Sequence, residues 1–301
     1  MAEGPDLGPV GVVPWPAGSK VVGLVGEVEE ERDLEVREGV QAARPRAATR
    51  RTAAASHQPE VVGVRWSKPK CPVRAEEQLW IEESLDWFVS EFGEEALRRP
   101  VLVPEASFFP AGYAGSEDDV RAVFASVCAR LEVPPSRLLL EFEPEEAEDL
   151  LEFIPINHAG TAVAGHWQVR DGSTVVTIQL TQAREPVALV ATIAHELGHE
   201  RLLGESRIAP ARRDGEPLTD LFTVFFGMGV FTANAAFEFR RSHQGYRTSR
   251  LGYLTEAMYG YALARYAWLR GETAPGWAAH LDTNPRAYLK EGLRFLQAGS
   301  T

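Results

Sequence analysis

His195-Glu196-Leu197-Gly198-His199 is the stretch of this 301-residue chain whose residue types and spacing point most directly to chemistry. Two histidines four apart on a helix project from one face, so both imidazoles can reach one metal ion. The glutamate beside the first histidine can then hold and deprotonate a water bound to that ion. Zinc suits such a set because it takes neutral imidazole and carboxylate ligands and can keep a fourth position open. Three fixed positions in five recur by chance in about one chain of this length in a hundred, so context decides. Here the motif follows a strand pattern, and Val187, Val190, Ile193, Leu197 and Leu202 give its helix an apolar surface.

Two histidines do not complete a zinc site, which needs a third protein ligand. One known pattern supplies it through G-x-x-H just after the motif, but Leu202 and Glu205 stand at those positions. The better source is Asp214-Gly215-Glu216-Pro217-Leu218-Thr219-Asp220. Glu216 and Asp220 are four apart at the start of a helix and share a face, where carboxylates are favoured by the helix dipole. One can bind metal while the other orients a ligand histidine. Asp214 and Glu205 are the substitutes for Glu216. Ordinary acidic charge at a helix start is the competing explanation for the pair.

H-E-x-x-H followed by E-x-x-x-D resembles the gluzincin group of zinc metallopeptidases, over about residues 174–236. The resemblance implies a zincin-like α+β fold. It also implies Zn2+ held by His195, His199 and Glu216, Glu196 as general base, and Asp220 as the hydrogen-bond partner of a ligand histidine. Sixteen residues separate His199 from Glu216, and no G-x-M-x-N is present, so the match is to a compact form of the group. Peptide hydrolysis also needs a donor to the oxyanion, often Tyr or His. Among His243, Tyr246, Arg247, Tyr253 and Tyr259, Tyr253 is chosen because it opens a helix after a loop. Ser173–Leu180, if an edge strand, could align an extended peptide through its backbone.

These residues need elements to position them. Residues 75–92 carry a helical stripe of Ile81, Leu85, Phe88, Val89 and Phe92, stopped by Gly93. Ser116 caps a second helix whose first turn is acidic. Arg137–Phe142, Thr161–Val169 and Ser173–Leu180 read as strands, the last two joined by an Asp171-Gly172 hairpin turn. Pro186 opens the motif helix and Gly204 ends it. A very apolar helix is predicted over Glu216–Ala236, with Gly227 and Gly229 inside it marking close packing on the motif helix. Two more helices are predicted at Tyr253–Arg270 and Asn284–Gln297. His158 and His166 are read as structural polar residues.

The whole is a small mixed sheet with an active-site helix and a mostly helical C-terminal half. Residues 1–65, rich in Pro, Gly, Ala and Arg, are expected to be a largely disordered segment. A helical subdomain (66–150) and a catalytic core (151–301) follow. The net charge of −12 argues against a nucleic-acid partner and, more weakly, against a membrane surface. Only Cys71 and Cys128 are present, and no signal peptide is visible, which suits a cytoplasmic protein. The expected activity is zinc-dependent cleavage of a peptide or protein substrate. The alternatives are a non-catalytic zincin-fold binding module and an interaction protein with a structural zinc site.

Overall fold

In a computed structural model, the described residues are 68–143, 165–236, 238–242, 245–249 and 253–299, and the side chains of 238–249 are not among them. The N-terminal segment 1–65 and His158 therefore lie outside the described residues. The described chain is α+β and mostly helical, with seven helices, a three-stranded sheet and a two-stranded hairpin. No helix among the described residues is long and apolar enough to cross a membrane.

Helix α1 (Ala75–Leu97) buries Trp80, Ile81, Leu85 and Phe88, and Gly93 interrupts it with φ 84°. Helix α2 (Glu117–Leu131) starts at Ser116, whose hydroxyl accepts from the Asp119 N–H while the Asp119 carboxylate accepts from the Ser116 N–H. That reciprocal cap satisfies two amides that a helix start otherwise leaves open. Both helices come from the stretch read as an N-terminal subdomain, and they share one hydrophobic core with the helices that follow.

Strands β1 (Leu138–Glu143), β2 (Gly165–Arg170) and β3 (Ser173–Gln179) pair in the order β1-β3-β2. β1 runs parallel and β2 antiparallel to β3, with Trp167 opposite Val176. Asp171 (φ 52°) and Gly172 (φ 78°) turn the hairpin, both in the left-handed region that a two-residue turn requires. β3 is thus the central strand, so the condition under which Ser173–Leu180 could align a peptide, that it be an edge, is not met. Its buried run, Val175 to Ile178, belongs to a strand paired on both sides. Among the described residues the edge beside the motif helix is β2.

Helix α3 (Pro186–His199) carries the motif and passes directly into a π-helical turn, Glu200–Gly204. The single helix expected over 216–236 is two: α4 (Gly215–Phe225) and α5 (Gly229–Ala235). Gly227 separates them with φ 75°, and a Cβ there would meet the Arg130 guanidinium at 2.5 Å. Arg130 donates to the Phe226 carbonyl at 2.7 Å, so the break is fastened from α2. Composition alone hid this, because a helix C-terminus taken up by glycine reads as one more apolar residue in a long run. Gly229 makes room for Leu263 rather than for the motif helix. α5 meets α3 through Ala235 against Ala188 and Ala191.

A hairpin of β4 (Glu238–Ser242) and β5 (Gly245–Ser249), which the sequence reading did not anticipate, precedes α6 (Glu256–Leu269) and α7 (Thr283–Gly299). Thr255 caps α6 by accepting from the Met258 N–H, so Tyr253 lies in the loop before that helix. α1 is fastened to the rest by its aromatic face, with Phe88 and Phe92 against Phe222, Phe225 and Phe226. Trp80 donates to Asp214 at 2.9 Å, and Tyr261 of α6 donates to Glu82.

Candidate metal centre

The four-residue spacing on α3 brings the two histidines together at their ring tips, with the Nε2 atoms 3.1 Å apart. Glu216 reaches over from the first turn of α4. Its Oε2 lies 3.1 Å from His195 Nε2 and 3.4 Å from His199 Nε2. These three side chains form the one group of metal-ligating type found among the described residues. Ligand atoms at tetrahedral corners about 2.0–2.1 Å from zinc lie about 3.3 Å apart. The triangle of 3.1, 3.1 and 3.4 Å therefore fits three corners of such a site.

The far side of each ring decides which nitrogen faces the triangle. His195 Nδ1–H donates to Asp220 Oδ1 at 2.9 Å, leaving Nε2 as the inward atom. Thr219 donates its hydroxyl hydrogen to the Gly215 carbonyl at 2.9 Å, so its oxygen is left to accept from His199 Nδ1–H, 3.5 Å away. Both imidazoles thus turn Nε2 inward. Glu216 and Asp220 have histidines and no arginine or lysine as ion-pair partners among the described residues.

Burial would lower the pKa of His195, but the hydrogen bonds to Asp220 and Glu216 outweigh it and hold the pKa well above the ordinary value. Burial would raise Glu216, but its bonds to His195 and His199 prevail and keep the carboxyl below the usual range. The donor set, two inward nitrogens and one carboxylate with Asp220 behind, is of a type that could hold a cation.

Glu196 is buried beside this group, at 7% exposure, and its carboxylate makes no hydrogen bond among the described residues. Gly165, the first residue of β2, leaves the space it uses. A Cβ there would meet Thr192 at 2.5 Å and Glu196 Oε1 at 3.2 Å. Asp220 Oδ2 accepts the N–H groups of Tyr253 (2.5 Å) and Leu254 (3.2 Å). This draws the loop before α6 to the site, where the Tyr253 ring stacks on His195 at 5.8 Å. Burial, together with the Glu216, Asp220 and Glu196 carboxylates, pushes the Tyr253 pKa up to about 12, so the phenol keeps its proton.

All six residues singled out for the site, His195, Glu196, His199, Glu216, Asp220 and Tyr253, meet here. The substitutes do not. Asp214 is taken by Arg212 and Trp80, and Glu205 by Arg201 and Arg207. Tyr259 is buried in α6, and His243 lies outside the described residues. Trp167, Thr219, Glu200 and Gly165 were not anticipated. Trp167 packs on the His199 ring at 6.1 Å, and its place on a strand next to a two-residue turn was the only signal for it.

Comparison of the chain with protein-family models, with curated proteins and with solved structures finds no match.

Proposed function

We propose that this chain is a zinc-dependent metallopeptidase of compact gluzincin type, in which His195, His199 and Glu216 hold the metal. The observation that carries the reading is the triangle of three inward ligand atoms, with the buried Glu196 beside it making no side-chain hydrogen bond among the described residues. Zinc, when bound, supplies a Lewis acid that polarises the scissile carbonyl and makes a water acidic at neutral pH. Glu196 takes the proton of the attacking water and delivers it to the departing amine. No hydrogen bond among the described residues ties its oxygens down, which suits a group that turns from water to amine.

Tyr253 remains protonated and donates to the oxyanion that forms on the carbonyl. Asp220 keeps the His195 ring in the tautomer that binds metal and holds the Tyr253 backbone with its other oxygen. β2, an edge strand among the described residues and beside α3, offers backbone groups to an extended peptide. A closed structural zinc site would need a fourth protein ligand, and the cluster among the described residues has three.

The test is metal analysis of the purified chain together with cleavage of a peptide library. The chain should carry one zinc, His199→Ala should lose it, and Glu196→Gln should keep it while cleavage disappears. A chain without stoichiometric metal, or cleavage surviving in Glu196→Gln, overturns the reading. Zinc retained with no peptide cut by the native chain assigns the fold a binding role instead.

A further inference from the structure

We propose that Glu200 is a positioning residue for the second histidine, holding the Trp167 indole against the His199 ring and thereby setting the direction of His199 Nε2. The proposal rests on the metal-binding reading of His195, His199 and Glu216. It arises from an unequal division of support between the two rings. His195 is oriented by a carboxylate at 2.9 Å, while among the described residues the one hydrogen-bond partner of His199 Nδ1 is a hydroxyl at 3.5 Å, the outer limit of such a bond. A ring held so weakly behind needs a wall, and Trp167 is that wall, at 6.1 Å and a tilt of 37°.

The indole is itself fixed by Glu200, the residue after His199. Glu200 is buried, at 6% exposure, and one oxygen, Oε2, accepts both from Trp167 Nε1–H at 3.2 Å and from the Thr174 hydroxyl at 3.0 Å. The carboxylate therefore joins β2, β3 and the end of the ligand helix at one atom. The π-helical turn makes this geometry possible. The Glu205 N–H reaches back five residues to the Glu200 carbonyl, and the Glu200 carboxylate lies over Gly204, where any Cβ would collide with it. Burying a carboxylate among neutral donors costs free energy that an apolar side chain of the same size would not. A purely space-filling role does not account for it, whereas an oxygen placed to hold an indole N–H does.

Because both donors meet the same oxygen, the amide oxygen of glutamine replaces it in full and the methyl group of alanine does not. The experiment is a zinc titration of the full chain against a chelating dye, with unfolding midpoints measured alongside. In parallel, the indole N–H resonance of Trp167 is followed in the zinc-free protein and assigned with Trp167→Phe. Glu200→Ala should lose about tenfold or more in zinc affinity, the size expected for groups that orient a ligand. Its Trp167 N–H resonance should shift. Glu200→Gln should come within about twofold of the native affinity, since it keeps the acceptor. Native affinity in Glu200→Ala, or equal losses in Ala and Gln, overturns the proposal. If Glu200→Ala does not fold, Trp167→Phe carries the test: reduced affinity upholds the proposal and native affinity overturns it. A native chain that takes up no zinc refutes the metal reading. The Trp167 resonance, read without zinc, then decides separately whether Glu200 holds the indole.

Discussion

His195 and His199 sit one helical turn apart, yet different regions of the molecule hold them by different forces. On the α4 side, His195 donates a charge-assisted bond to Asp220 and has a tyrosine ring stacked against it. His199 has a distant hydroxyl from α4, that of Thr219, and on the sheet side a tryptophan wall. Helical spacing brings two imidazoles to one point but leaves their rings free to rotate about χ1 and χ2. The contrast teaches that convergence is local, a property of five residues on α3. Orientation is imported, electrostatically from one neighbouring layer and by packing from the other.

The sharpest way to break this contrast is to remove each support in turn and titrate zinc. Asp220→Ala should lower affinity about 10- to 100-fold, because it frees the His195 ring and the Tyr253 loop together. Thr219→Val should lower it only about twofold, since a 3.5 Å contact contributes little orientation. Equal losses in the two variants would mean that the rings are held alike.

pH sharpens the same contrast. On the metal-binding proposal, the ion competes with the proton that Asp220 and Glu216 favour on His195, so affinity should fall by up to about tenfold per pH unit below the raised His195 pKa. In the metal-free fold the protonated ring adds stability, fully present below its ordinary value and lost as pH rises through the raised one. Calorimetric titration at several pH values checks this, with Asp220→Ala moving the onset of weakened binding to lower pH. An unmoved onset would put the competing proton elsewhere.

Much of this was legible in the chain because its signals are local. The H-E-x-x-H spacing, the Ser116 cap, the Asp171-Gly172 turn and Pro186 at a helix start each depend on a few neighbouring residues. Glu216 and Asp220 could be paired because a helix face fixes the relation of positions four apart. What was not legible depends on distant partners. Gly227 breaks an apolar run because Arg130, far back in the chain, binds the carbonyl beside it. β3 is central because β1 pairs with it, and nothing in Ser173–Gln179 announces which neighbours it will have. Trp167 and Glu200 found each other across 33 residues, and neither carries a motif.

The separations along the chain also carry a consequence for how the molecule comes together. The bonds that build the centre close spans of 25, 26 and 33 residues, from His195 to Asp220, Thr174 to Glu200 and Asp220 to Tyr253. The bonds that fasten α1 close spans of 134 and 179, from Trp80 to Asp214 and Glu82 to Tyr261. Closing the longer spans costs roughly 1–2 kcal/mol more in chain entropy for each. The ligand cradle should therefore be an early-forming nucleus and α1 a late strap laid across it. Native-state hydrogen exchange should find α1 amides opening at lower free energy than those of α3 and α4, and equal protection of all three would refute that order.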